Sequence, residues 1–162
     1  MNLNEIYEKV LQADVSGVAV QSRLQRAKKI SEKFKNSIFM KREDTQSVFS
    51  FKCRGAYNKI RQLSNSEKSS GIIAASAGNH AQGVALSAYQ LNLTATIVMP
   101  VTTPSIKVDS VKSHGANVIL FGDSYDDAYN HAVELADSEG FTFTHPYDDP
   151  DVIAGQGTIA TE

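Results

Sequence analysis

A lysine between an aromatic residue and an arginine is the first feature of this chain that could do chemistry. Residues 50–56 read Ser-Phe-Lys-Cys-Arg-Gly-Ala, so that Phe51 precedes Lys52 and Arg54 follows two positions later. Burial and a neighbouring positive charge both favour the neutral form of an amine. A neutral amine is a nucleophile toward aldehydes. The alternative is that Lys52 and Arg54 are solvated charges at the start of a helix, as most such residues are.

A small-residue turn between a candidate strand and a candidate helix is the second such feature. Residues 76–80 read Ser-Ala-Gly-Asn-His and follow the apolar residues 71–75. A strand, a turn and a helix start bring several free backbone N–H groups to one point, where an amino-acid carboxylate can bind. The alternative is an ordinary helix cap in which Ser76 or Asn79 accepts a backbone hydrogen bond.

Taken together and in this order, the motifs resemble those of threonine dehydratases, pyridoxal-phosphate (PLP) enzymes of the tryptophan synthase β-like fold (fold type II). The resemblance spans roughly residues 20 to 162. The elements that carry it are Lys41-Arg42-Glu43-Asp44, residues 50–56, residues 76–83, Val98-Met99-Pro100 and residues 153–158. It implies an α/β fold, with a parallel four-stranded sheet and flanking helices as the small domain, and an N-terminal segment of helix and strand from an incomplete large domain.

The resemblance also implies roles for particular residues. Lys52 would bind the cofactor as a Schiff base and move the substrate Cα proton, Phe51 would pack on the cofactor ring, and Asn79 would hydrogen-bond the phenolic oxygen of the ring. The substrate carboxylate would be bound by Ser76, Ala77, Gly78, Asn79 and His80. We expect His80 to act through its backbone, and the alternative is a helix residue without a chemical role. No metal site is expected.

The implied reaction is α,β-elimination of L-threonine, or of L-serine, to a 2-oxo acid and ammonia. Residues 41–46 resemble the branch of the family in isoleucine biosynthesis, and the resemblance implies a homo-oligomeric parent protein. Serine racemase is an alternative, but racemases of this fold have a serine at the position of Ala77. Other fold type II enzymes are a second alternative. A non-catalytic binding module is a third, because none of the ten glycines lies in a glycine-rich run that could hold the cofactor phosphate.

Composition and charge exclude several other classes of protein. Residues 1–62 carry 13 Lys and Arg against 6 Asp and Glu, whereas residues 63–162 carry 3 against 12. The basic residues between 26 and 35 form the outer face of a predicted amphipathic helix, and no aromatic residues are interleaved on that face, so we do not expect nucleic-acid binding. No apolar run has the length of a membrane span and the N-terminus lacks a signal-peptide pattern, so we expect a cytoplasmic protein. The lone cysteine, Cys53, is expected to be a packed thiol.

The pattern of apolar residues predicts the order of the elements. Leu24, Ala27, Ile30 and Phe34 have helical spacing and predict an amphipathic helix with a basic outer face. A regular alternation begins beyond Ser64. It predicts strands at 72–76, 95–99, 117–121 and 141–144, and helices at 79–91, 104–114 and 124–138. We expect residues 1–55 to belong to a large domain that carries the cofactor lysine, residues 56–146 to form a small α/β domain, and residues 147–162 to begin the helix that returns to the large domain.

Overall fold

The computed structural model describes residues 2–162 as a series of short helices and strands. In chain order these are α1 Leu3–Gln12, β1 Leu24–Arg26, α2 Lys28–Phe34, β2 Phe39–Lys41, a single 3-10 turn at Glu43–Thr45, α3 Lys52–Gln62, α4 Asn65–Ser69, β3 Ile72–Ala75, α5 Asn79–Gln90, β4 Ala95–Met99, α6 Ser105–Lys112, β5 Asn117–Leu120, α7 Tyr125–Glu139, β6 Thr142–Phe143 and α8 Pro150–Thr161. None of the helices described is long and apolar enough to cross a membrane.

A four-stranded parallel sheet forms the centre of the fold, as the sequence predicts. Its strand order is β5-β4-β3-β6, and each neighbouring pair is parallel. Alternate residues of the buried strand β3 point to opposite faces, since Ile72 and Ala74 pack with α3, α5 and α6 while Ile73 and Ala75 pack with α7. Helices therefore cover both faces of the sheet, which is the architecture that parallel strands require.

The ends of the helices in this part of the chain follow from local chemistry. Ser124 accepts a hydrogen bond from the backbone of Asp127 and caps α7, and Gly140 ends that helix with a φ of 78°. A serine at the first position and a glycine in the left-handed conformation at the last are common helix boundaries. The predicted boundaries of these strands and helices consequently agree with the structure to within two residues.

The prediction of one helix from about Leu24 to Phe34 is wrong at its beginning. Residues 24–26 form β1, which pairs antiparallel with β2, and only the later residues are helical. The Ala27 N–H donates to Ile38 O over 2.9 Å, just before β2. The backbone therefore still pairs with the segment that leads into β2 at Ala27, and the helix begins only after it. The helical spacing predicted that Leu24, Ile30 and Phe34 would pack against the protein on one buried face. In the described residues all three side chains are exposed.

Helix α3 lies between two other helices and carries Lys52 as its first residue. It packs against α5 on one side and against α8 on the other, and α1 packs on α8. The expected domain boundaries after residues 55 and 146 remain predictions. The first falls inside α3 and the second precedes α8.

Candidate active site

The candidate site lies at the edge of the sheet where the strands have their carboxyl ends. β3 and β6 are parallel neighbours, so the segments that follow them, residues 76–78 and 144–147, leave the sheet side by side. Lys52 reaches this edge from the start of α3, and its Nζ donates a hydrogen bond to Pro146 O over 2.7 Å. Ligands of open α/β sheets collect at such an edge.

The environment of the Lys52 amine favours its neutral form. The side chain is half-buried, and desolvation lowers the pKa of Lys52 below its ordinary value. The sequence predicted a second cause, repulsion from Arg54, and this part of the expectation is wrong because the guanidinium is neutralised by carboxylates. The ring centroid of Phe51 lies 5.7 Å from Nζ, so the expected aromatic neighbour is in place.

Arg54 belongs instead to a buried ion-pair network behind the lysine. Its Nε and Nη2 donate to the two carboxylate oxygens of Glu43 over 2.8 and 2.9 Å, and its Nη1 donates to Glu162 over 2.6 Å. Burial alone would lower the pKa of Arg54, but the hydrogen bonds from both carboxylates outweigh it and raise the pKa. The guanidinium therefore stays charged and ties the first turn of α3 to residues distant in the sequence.

The turn at residues 76–80 leads into the N-terminus of α5. Part of the capping alternative is realised, because the Gly78 N–H donates to Ser76 Oγ over 3.2 Å. No side chain caps the helix itself, and a Cβ built on Gly78 would have no neighbour within 4 Å. Asn79, the first residue of α5, is exposed. The N–H groups of the first turn lack intrahelical acceptors and a side-chain cap, and such groups can bind an anion.

The His80 side chain connects this helix to the end of β6. It is buried, and its Nε2 lies 3.0 Å from Thr144 O, so Nε2 must carry the proton that it donates. Burial lowers the pKa of His80 to about 4, and the nearby charge of Lys52 contributes in the same direction. The ring is therefore neutral at pH 7. The expectation that residue 80 acts through its backbone remains a prediction.

Cys53 is buried and has no accessible reactive thiol. Burial raises the pKa of Cys53 to about 11, so the thiol stays protonated at neutral pH. Its place beside Lys52 thus reflects packing, as expected from the sequence. Among residues 2–162, no three His, Cys, Asp or Glu residues are arranged to hold a metal ion.

The residues present fit one end of a PLP molecule together with the carboxylate of an amino acid. A half-buried amine beside an aromatic ring suits the aldehyde end, and the open N-terminus of α5 suits a carboxylate. His80 Nδ1 and Thr144 Oγ1 are buried without hydrogen-bond partners in the described residues, which marks a place where a ligand or water is expected. The sequence did not predict that Pro146 O accepts the hydrogen bond from Lys52 Nζ. Pro146 follows a predicted strand closely, and that position could have indicated that it lies at the site.

Comparisons with known proteins agree with this geometry. Residues 15–162 match the family model described as pyridoxal-phosphate dependent enzyme. The chain is 57% identical over 153 residues to a threonine dehydratase of Nicotiana attenuata, a match that covers 94% of this chain and 26% of the relative. It is 51% identical over 165 residues to a biosynthetic L-threonine dehydratase of Burkholderia multivorans, which covers all of this chain and 32% of the relative.

A solved structure shows the same fold. The processed form of threonine deaminase isoform 2 from Solanum lycopersicum matches with a TM-score of 0.93 at 48% identity, covering 99% of this chain and 45% of that one. The chain spans about a quarter to a third of the length of the curated relatives described above. The α/β architecture predicted from the sequence is therefore confirmed, and the chain belongs to the family of pyridoxal-phosphate dependent enzymes.

Proposed function

We propose that this chain supplies the cofactor lysine and the substrate-carboxylate loop of a threonine dehydratase. The observation that carries the proposal is the position of the Lys52 amine. It is half-buried, has a lowered pKa and lies at the same strand-end edge as the open N-terminus of α5. The names of the relatives, threonine dehydratase and threonine deaminase, support threonine as the substrate.

Each residue of the site has a proposed task. Lys52 binds the cofactor through Nζ and then carries the proton that leaves the substrate Cα. Phe51 covers a face of the cofactor ring, and Asn79 hydrogen-bonds its phenolic oxygen. The backbone N–H groups of residues 76–80 bind the substrate carboxylate and fix its orientation. Bound PLP supplies the electron sink that stabilises negative charge at Cα.

The proposed reaction loses the Cα proton and the β-hydroxyl group of threonine as water. Hydrolysis of the resulting enamine takes up one water molecule, so the overall products are 2-oxobutanoate and ammonia. A racemase needs a second group that exchanges a proton on the opposite face of Cα. Ala77 has no exchangeable side-chain proton, and this favours elimination over racemisation at this site.

We further propose that activity requires protein beyond these residues. The chain has no glycine-rich run for the cofactor phosphate, and the relatives are about three to four times longer. Without a phosphate anchor the ring is not held against Asn79, and most of the advantage of orientation is lost. We propose a homo-oligomeric parent protein that acts in isoleucine biosynthesis. The word biosynthetic in the name of the Burkholderia relative supports a biosynthetic role.

A chimera tests this proposal. In it, the present chain replaces the matching segment of the Burkholderia multivorans relative, and the release of 2-oxobutanoate from threonine is measured. We expect turnover in the chimera and only the background rate in its Lys52→Ala variant. Lys107→Ala is the matched control, because it removes an exposed lysine of α6 and should leave turnover unchanged.

Each outcome of this experiment decides between alternatives. A folded Lys52→Ala chimera with undiminished turnover would show that another residue does the chemistry. A folded chimera that binds the cofactor but converts serine only between its enantiomers would favour the racemase. A folded chimera without cofactor absorbance or turnover would favour a non-catalytic module.

A further inference from the structure

We propose that Gly83 is a positioning residue for Lys52, because its missing side chain lets α5 lie directly on the backbone that follows the lysine. The contact fixes the place of the amine relative to the turn at residues 76–80. The inference rests on the proposed role of Lys52 as the cofactor lysine. It concerns the backbone contact between two helices, which is distinct from the residues that would touch a ligand.

The distances at Gly83 leave no room for a methyl group. A Cβ built there would lie 2.9 Å from Lys52 O, 3.0 Å from Lys52 C and 3.1 Å from Cys53 N. Carbon atoms that are not bonded are in favourable contact at about 3.5–4.0 Å. The atoms in the way belong to the backbone, so a side-chain rotation cannot relieve the overlap. Substitution at Gly83 must therefore move the first turn of α3, which begins with Lys52.

The register of α5 connects this contact to the candidate site. Gly83 follows Asn79 by four residues, and side chains four residues apart lie on the same face of a helix. The face of α5 that carries Asn79 is consequently the face that rests on Lys52. A displacement at Gly83 changes the distance between the amine and the proposed cofactor-binding asparagine directly.

Helix α3 cannot simply retreat from α5, because its other side is equally close to α8. A Cβ built on Gly155 would lie 2.6 Å from Arg54 O and 2.7 Å from Gly55 Cα. The Arg54 guanidinium is also held by Glu43 and Glu162. With the helix fixed on the far side, an added methyl group at position 83 is expected to tilt or shift the turn that carries Lys52.

The substitution Gly83→Ala tests this inference with little conformational cost of its own. Gly83 has no positive φ and lies within a helix, where alanine is intrinsically favoured over glycine by about 1 kcal/mol. Any change at Lys52 would therefore come from the overlap between the two helices. It would not come from a loss of helix propensity in α5.

The first readout is the ionisation of Lys52 in the 162-residue chain, measured by acetic anhydride labelling across pH and mass spectrometry of its peptide. The exposed Lys107 serves as internal standard. We expect the midpoint of Lys52 to rise in Gly83→Ala toward about 10.4, the value of a solvated lysine. The second readout is the equilibrium constant for imine formation with PLP at Lys52, which we expect to fall at least tenfold.

Gly157→Ala is the matched control, since it adds a methyl group to another tightly packed helical glycine. Its Cβ would meet a side-chain methyl group of Val10, at the contact of α8 with α1. We expect it to lower the melting temperature without changing either Lys52 readout. A folded Gly83→Ala chain with both readouts unchanged would overturn the inference, and so would equal changes in the control.

If the isolated chain with Gly83→Ala fails to fold, the same substitution is made in the Burkholderia chimera. The acetic anhydride labelling of Lys52 is then measured in the chimera. Failure to fold in both would also overturn the inference, because Gly83 would then serve the fold and not Lys52 in particular. The labelling profile needs no catalysis. An inactive chimera with the expected shift at Lys52 would thus contradict the proposed function and leave the role of Gly83 intact.

Discussion

Replacing Glu162 by glutamine should destabilise the chain in a pH-dependent way. The Glu162 carboxylate accepts hydrogen bonds from Arg54 Nη1 over 2.6 Å, from Lys41 Nζ over 2.7 Å and from the Ser22 N–H over 3.3 Å. Its side chain is only 18% exposed and that of Arg54 is fully buried. Glutamine keeps the shape of the side chain and removes the charge that these donors share.

The pKa of Glu162 sets an upper limit on the effect. Burial alone would raise this pKa, but the hydrogen bonds from Arg54 and Lys41 outweigh it and lower the pKa from 4.5 to about 2. At about 1.4 kcal/mol for each pH unit, this corresponds to at most roughly 3.5 kcal/mol. Because the side chain is partly solvated and an amide oxygen can still accept from Arg54, we expect a loss of about 1–2 kcal/mol at pH 7.

The direction of the pH dependence follows from the lowered pKa. A carboxylate whose pKa is lower in the folded state stabilises the fold fully above its unfolded pKa, and this contribution is lost as the pH falls toward the folded value. The difference in unfolding free energy between the original chain and Glu162→Gln should therefore be constant from pH 7 to about 5.5. It should shrink as the pH is lowered from about 5 toward 3.

Urea unfolding at a series of pH values measures this difference. Glu139→Gln is the matched control, because it removes the same charge from an exposed position and should change the stability by less than about 0.5 kcal/mol. If Glu162→Gln lowered the unfolding free energy equally at pH 7 and pH 3.5, the loss would come from disturbed packing, and the charge of Glu162 would not contribute. Equal stability of the two chains at pH 7 would refute the network itself.

Three further predictions concern the candidate site, the first two in the chimera. Asn79→Ala should shift the cofactor absorbance and lower turnover while the melting temperature stays within a few degrees, since the residue is exposed; an unchanged spectrum and rate would exclude a cofactor contact. Ala77→Ser should add racemisation of serine, and chiral analysis that detects none would remove the support for the racemase comparison. The 162-residue chain with saturating PLP should convert threonine at least 100-fold more slowly than the chimera, and a rate within tenfold would show that the added protein is dispensable.

The alternation of strands and helices beyond Ser64 was predictable because each element carries its own signals. The completely buried strand β3 is a continuous apolar run, and β4 departs from one only at Thr96. Residues such as Ser124 and Gly140 mark helix ends by local chemistry. The order of the strands was not predictable. It depends on packing between elements that are distant in the sequence.

The sequence-based predictions were wrong for features that depend on contacts between residues distant in the sequence. β1 has only three residues, too few to show an alternating pattern, and its pairing with β2 decides its conformation. The sequence suggested that Arg54 acts on Lys52, since the two are neighbours along the chain. Its actual partners, Glu43 and Glu162, lie 11 and 108 residues away, and no local pattern indicates such contacts.

The candidate site was predictable in its residues but not in its geometry. The types and spacing of Lys52 and residues 76–80 pointed to a candidate amine and a candidate helix start, and the structure places both at the same edge of the sheet. The contact of the amine with Pro146 depends on the pairing of β6 with β3, and the overlap at Gly83 depends on how closely two helices approach. Both follow from tertiary packing.

Peptide mapping tests most directly the central claim that Lys52 binds the cofactor. The chimera is incubated with PLP, the covalent link is reduced with borohydride, and the modified lysine is located by mass spectrometry after digestion. We expect the label on Lys52, with the ten other lysines of the present chain and those of the added protein modified only to the level of an unfolded control. Label on a different lysine, or an even distribution over all of them, would contradict the assignment.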